Sequence, residues 1–172
     1  VPHEQIVVVS APGQELPSLP AAVRLAEDKR ADRGPLEGLA AGLQAITSKT
    51  EIVYATSCDV PLLQPAFIEY LFQQIGNHDL VIPQEESFYH PLAACYRTSV
   101  LPSIRELLAA DRLRPFYLLE KLDSIAIPID QLRIADPELV SLNNLNTPTQ
   151  YLAALAAAGF SVSPEWQAQA DK

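Results

Sequence analysis

The chain has 172 residues, 48% of them apolar, and carries a net charge of −9. That length favours one domain, and that apolar share builds a sizeable core, which excludes a chain disordered by composition. The acidic balance excludes a protein that coats nucleic acid, which needs a basic face, yet permits a small phosphorylated ligand held by a few Arg residues, a metal ion or a helix N-terminus.

No run approaches the roughly 18 apolar residues of a membrane span, and no basic start, apolar stretch and small-residue cleavage site marks a secretory signal. Cys58 and Cys95 lie in apolar stretches without CxxC spacing. They read as two reduced, buried thiols of a cytoplasmic protein. The chain opens Val1-Pro2-His3 and contains no Met. Loss of an initiator Met ahead of Val explains this, as does truncation; the element order favours truncation.

In chain order, Ile6 to Ser10 is a short β-branched run and reads as a buried strand. Val23 to Ala26 is a second strand, closed by Glu27-Asp28. Gly34-Pro35 opens a helix with Leu36, Leu39, Ala40, Leu43 and Ile46 on its apolar face. Ile52 to Ala55 is a third strand, leading into Thr56-Ser57-Cys58-Asp59, and a helix starts at Pro65 with Gly76 as its stop. Asp79 to Pro83, Pro91 to Tyr96 and Ile125 to Ile129 supply three more strands, with helices over 99–110 and 115–122. Thr147 and Gln150 write a capping box around Pro148 for the last helix, which ends at Gly159. The pattern is that of an α/β fold: a single Rossmann-like three-layer domain over 1–160, its sheet mostly parallel, with later spacings that leave room for a mixed sheet. Residues 161–172 read as a polar tail.

Asp59 follows a buried strand, and Val60-Pro61 keeps the backbone extended behind it, so its carboxylate stands at the sheet edge where open α/β folds bind ligands. Magnesium needs only one or two such carboxylates plus phosphate oxygens and water; a plain turn-opening Asp is the competing reading. Asp28 ends the preceding strand on the same edge and fits a ribose, base or outer metal contact, or an ordinary loop. Gly34 to Gly38 expose a helix N-terminus with room for a flat ligand, or for close helix packing. His90 precedes a strand, where a structural or solvated role is the ordinary one; with Cys58 and Asp59 it fits no hydrolase signature. Arg112 and Arg114 concentrate positive charge in an acidic chain and suit a phosphate, or a solvated loop. Asn144 and Asn146 offer amides to a heterocycle or a hydrated metal, or simple loop chemistry.

The ordered set Asp28, Gly34-Pro35-Leu36-x-Gly38, Cys58-Asp59-Val60-Pro61-Leu62, His90-Pro91-Leu92 and Asn144-Leu145-Asn146-Thr147-Pro148 resembles the molybdenum cofactor guanylyltransferase family, from about Ile6 to about Ala158. The resemblance implies a Mg2+-dependent transfer of GMP from GTP to molybdopterin, with loss of pyrophosphate. It makes Asp59 the catalytic and metal-binding aspartate, and places Ser10, Asp28, Gly34, Pro35, Leu36 and Gly38 with Asp59 along GTP. It puts Asn144 and Asn146 on the molybdopterin side, where charge alone adds Arg112 and Arg114. Other enzymes of molybdenum cofactor biosynthesis and recipient molybdoenzymes are the implied partners. The family's opening strand and glycine-rich loop, with its Gly-Gly, Arg-Met-Gly and Lys, match nothing among the six glycines here. The expectation is a chain that starts at the family's second strand and does not turn over alone. A cytidylyl or sugar-phosphate transferase, or a non-catalytic molybdopterin binder, are the alternatives.

Overall fold

Proline marks where this chain turns helical. The computed structural model describes residues 2–46 and 49–161. Its elements run β1 (Val7–Ser10), β2 (Arg24–Glu27), α1 (Pro35–Ala45), β3 (Ile52–Thr56), α2 (Pro65–Gln74), β4 (Leu80–Glu85), β5 (Phe88–Tyr89), β6 (Ala93–Arg97), α3 (Leu101–Ala109), β7 (Ser124–Pro128), α4 (Ile129–Leu132) and α5 (Pro148–Ala157). Pro35, Pro65 and Pro148 each begin a helix, where the absent N–H would have had no partner and the fixed φ suits the first turn.

The strands form two sheets. β1 and β2 pair in parallel, Val7 opposite Arg24 and Ser10 opposite Glu27. The larger sheet runs β3-β6-β4, with β7 parallel to β4 on its far side and β5 paired antiparallel to the end of β4. The mixed character comes from β6, which runs antiparallel to both β3 and β4. Among the described residues, β1 has no strand partner besides β2, and β3 none besides β6. α1 packs on β1 and β2 and also meets α3, so it ties the small sheet to the layer that covers the large one.

Alternation along the strands builds three layers. Leu80 and Ile82 of β4, with Ala94 and Tyr96 of β6, face Leu36, Leu39 and Leu43 of α1 and Ile104 and Leu107 of α3. Their neighbours Val81, Ala93 and Cys95 face the opposite side, against Phe67 and Leu71 of α2 and Leu132 of α4.

Some local expectations are corrected. The helix expected over 115–122 is only a 3-10 turn, Pro115–Leu118. Its role is to lower Leu118 into the core, which a single turn accomplishes. β5 was not expected: two residues are too few to show a period, and the hairpin turns through Glu86 at φ 51. Cys58 is exposed in the turn after β3, so only Cys95 is a buried thiol; both are free. The polar tail lies, beyond Ser161, outside the described residues. Among those described, no helix is long and apolar enough to cross a membrane.

The capping box is present: the Thr147 hydroxyl accepts from Gln150 N–H at 3.2 Å, and Gln150 Oε1 accepts from Thr147 N–H at 3.1 Å. Gln150 Oε1 also accepts from Asn146 N–H at 2.7 Å, which fixes the segment entering α5. Thr147→Ala is expected to cost about 1 kcal/mol in urea unfolding.

Candidate functional site

β3 ends at Thr56 and the chain turns through Ser57 and Cys58 to Asp59. The turn is held from the far end of the sequence. Leu145 N–H donates to Asp59 O at 2.8 Å, and Asn144 Nδ2 donates to Asp59 Oδ2 at 2.8 Å. Asn144 also lies 3.4 Å from the Ser57 hydroxyl. A buried polar relay places this Asn segment. Asp136 Oδ2 accepts from Ser141 N–H at 2.8 Å, and Ser141 Oγ accepts from Gln64 N–H at 2.9 Å, just before α2. Asp136 and Ser141 are buried, so their groups need these partners. The relay locks residues 136–142 to the start of α2, and the asparagines follow directly onto Asp59.

The Ser57 hydroxyl and the Asn144 amide hold the Asp59 carboxyl below the usual carboxylate range. Asp59 is therefore ionised at neutral pH. Its Oδ1 is buried with no hydrogen-bond partner. A charged oxygen left unpartnered beside one that is anchored is the donor geometry for a cation shared with a ligand. Because the folded pKa is lowered, the stability this carboxylate contributes is present above its unfolded pKa and lost as pH falls through the folded one. Asn144→Ala is expected to raise the Asp59 pKa toward 3.8, read by carbon NMR titration of its carboxyl.

The second cluster sits at the ends of the small sheet. Asp28 N–H donates to Ser10 O at 3.0 Å, so Ser10 and Asp28 mark adjacent strand ends. Burial, then Glu37 and Glu27, push the Asp28 carboxyl up from its ordinary value. Its Oδ1 is buried without a partner and lies 3.5 Å from where a side chain on Gly38 would begin. Gly34 caps α1 at φ 69, a left-handed conformation that favours glycine. Gly34 and Pro35 are exposed, whereas Leu36 is fully buried in the core. Leu36 can therefore meet a ligand only through its backbone.

Arg112 and Arg114 differ in how free they are. Arg112 pairs with Glu120, and its guanidinium carbon lies 3.8 Å from the Tyr117 ring centroid. Arg114 is exposed. Asn144 and Asn146 also separate: Asn144 turns onto Asp59, while Asn146 enters the cap of α5. Sequence reasoning missed Ser57 and the role of Asn144 as the anchor of Asp59. The only signal was the pairing of two polar loops, which no local pattern reports. His90 sits partly buried, its Nε2 3.7 Å from Glu85; burial lowers its pKa while Glu85 opposes the shift.

Comparison with known proteins places the chain in a family. The family model described as the MobA-like NTP transferase domain matches residues 1–125. A probable molybdenum cofactor guanylyltransferase of Methanosarcina mazei is 33% identical over 129 residues, 73% of this chain and 56% of that protein. A second, from Chloroflexus aggregans, is 34% identical over 84% of this chain and 69% of that protein. The solved structure of molybdopterin-guanine dinucleotide biosynthesis protein A from Archaeoglobus fulgidus matches with a TM-score of 0.66 at 24% identity, over 80% of this chain and 69% of that one. At that identity the likeness speaks for the fold. The chain spans little more than half the length of the Methanosarcina relative.

Proposed function

The chain belongs to the MobA-like NTP transferase domain family, and we propose that the protein it comes from transfers GMP from GTP to molybdopterin with release of pyrophosphate. The observation that carries this reading is Asp59: an ionised carboxylate at a strand end, one oxygen anchored by Asn144, the other buried and unpartnered.

Magnesium is the proposed metal. The donor set fits it: a hard carboxylate oxygen, and among the described residues no cluster of three or more His, Cys, Asp or Glu that would complete a cage without phosphate and water. When bound, the ion supplies polarisation of the α-phosphate and neutralises charge on the departing pyrophosphate. The rest falls to the protein. Asp59 holds its position because Asn144 and Ser57 fix one of its oxygens. Ser10 and Asp28 contact the ribose or base from adjacent strand ends. Gly34 and Leu36 offer the backbone N–H groups at the start of α1, with Pro35, which has none, setting the first turn, and Gly38 leaves room for the nucleotide. Arg114, the more exposed of the two arginines, takes the molybdopterin phosphate together with Arg112. The attacking phosphate is already anionic, so positioning and charge neutralisation supply most of the catalysis and no strong base is required.

The same reading gives the triphosphate grip to residues that precede Val1 in the full protein. Its support is the sheet: β1 and β3 each present a strand edge with no partner among the described residues, in a fold whose curated relatives are longer. Partners of the full protein are proposed to be enzymes that make or receive the molybdenum cofactor.

The test is a transfer assay with GTP, Mg2+ and molybdopterin, run on this chain and on the protein with its preceding residues. Pyrophosphate release by the longer protein alone supports the reading; equal activity in both contradicts the division of labour. Turnover of CTP as fast as GTP would move the protein to the cytidylyl branch.

A further inference from the structure

The loop that joins β2 to α1 is tied across to the exit of α3. From Lys29 to Gly34, Arg33 is the one residue that is not exposed. Arg33 Nη2 donates to Leu108 O at 2.6 Å, and Nη1 pairs with the Asp111 carboxylate. The Arg33 side chain is only 18% exposed, and its Nε–H is buried without a partner. A largely buried guanidinium with one donor unmet costs free energy, so the fold keeps this link against a penalty.

Asp111 stands where glycine is the ordinary residue. α3 closes with two backward bonds, Arg112 N–H to Leu107 O at 2.9 Å and Asp111 N–H to Leu108 O at 3.3 Å. That pair is the Schellman close of a helix, and its pivot is a left-handed residue. Asp111 is the pivot, at φ 58. Glycine takes that conformation freely, whereas an aspartate takes it at a cost. The ion pair returns little of that cost as stability, because the Asp111 side chain is 78% exposed and water screens it. A strained acid whose one visible gain is a link to Arg33 points to a role for the link itself.

Both ends of the link lead into loops that carry candidate site residues. Gly34, which caps α1, follows Arg33, and Asp28 opens the same loop. Arg112 and Arg114 follow Asp111 directly. We propose that Arg33 and Asp111 are positioning residues: they hold the Asp28–Gly34 loop and the Arg112–Arg114 loop as one body, and so fix the separation of the two substrates. What each loop binds rests on the transfer reading above; the link between the loops rests on the contacts themselves. Arg33 and Asp111 act through their neighbours and not on the reacting atoms. In-line attack of one bound phosphate on another depends on alignment, so a loosened link lowers the rate of transfer more than the binding of either substrate.

The test compares Asp111→Gly and Asp111→Asn in the full-length protein. Glycine keeps the left-handed pivot without strain and removes the acceptor; asparagine tolerates the pivot and leaves Arg33 a neutral acceptor. The urea midpoint of Asp111→Gly is expected to equal or exceed that of the wild type. Its kcat for GMP transfer is expected to fall about tenfold or more, with KM for GTP and for molybdopterin within roughly threefold of the wild type. Asp111→Asn is expected to fall between the two in kcat. Activity that simply follows the urea midpoint would make the link structural and overturn the proposal. Amide relaxation supplies a readout that needs no turnover. Asp111→Gly is expected to loosen residues 28–34 and to leave the Asp59 turn as it is in the wild type. A loop equally ordered in both proteins, or an unchanged kcat, would overturn the proposal. A wild-type protein that transfers no GMP would overturn the transfer reading instead, and the relaxation result then decides the link by itself.

Discussion

Asp59→Asn is expected to lower nucleotidyl transfer by the full-length protein roughly 10²–10³-fold, about 3–4 kcal/mol of transition-state stabilisation. The substitution keeps the shape of the side chain and removes its charge. An amide at this position can still meet Asn144, whose amide flips to pair with either group. The fold is therefore expected to stand, because Leu145 N–H bonds the backbone of Asp59 and not its carboxylate. What is lost is the anionic oxygen that is buried without a partner. The drop is expected in kcat with GTP saturating, and circular dichroism melting is expected to change little. A large fall in melting temperature with unchanged kcat would assign Asp59 to structure instead.

Phe67→Ala is expected to carry the largest stability effect, about 3–5 kcal/mol in urea unfolding. Phe67 is fully buried on α2, in the cluster with Leu71, Val81, Cys95 and Leu132. Removing its ring leaves a cavity that the backbones of α2 and β4 limit in how far it can collapse. A typical domain is stable by only about 5–15 kcal/mol, so the variant is expected to sit near the margin. The consequence reaches the site. The N-terminus of α2 is where Gln64 N–H donates to Ser141 Oγ, and that link steadies the segment that leads to Asn144 and Asp59. A cost under about 1 kcal/mol would mean that this layer does not carry the stability its burial implies.

Most of the architecture was legible before any coordinates, because its signals are local. Pro65 and the Thr147–Gln150 box announce helix starts by their own chemistry. The β-branched runs from Ile6 to Ser10 and Ile52 to Ala55 announce strands, although the strands they form are half-buried and not the buried ones expected. What was not legible is long-range. The reversed direction of β6 depends on which neighbours it pairs with, and an apolar run reads the same in either direction. Asp59 could be singled out from its strand and its Val60-Pro61 exit. Its anchor could not, because Asn144 is 85 positions away and only the folded chain brings it onto Asp59.

The central claim is that Asp59 holds the metal of a shared metal–nucleotide site, and the most direct measurement is paramagnetic. Mn2+ added with GTP to the isotope-labelled full-length protein broadens amide resonances within its reach. The account predicts selective broadening at Ser57 to Val60 and at Asn144 and Leu145, dependent on GTP and abolished by Asp59→Asn. Broadening that spares these residues, or that persists undiminished in the variant, would contradict it.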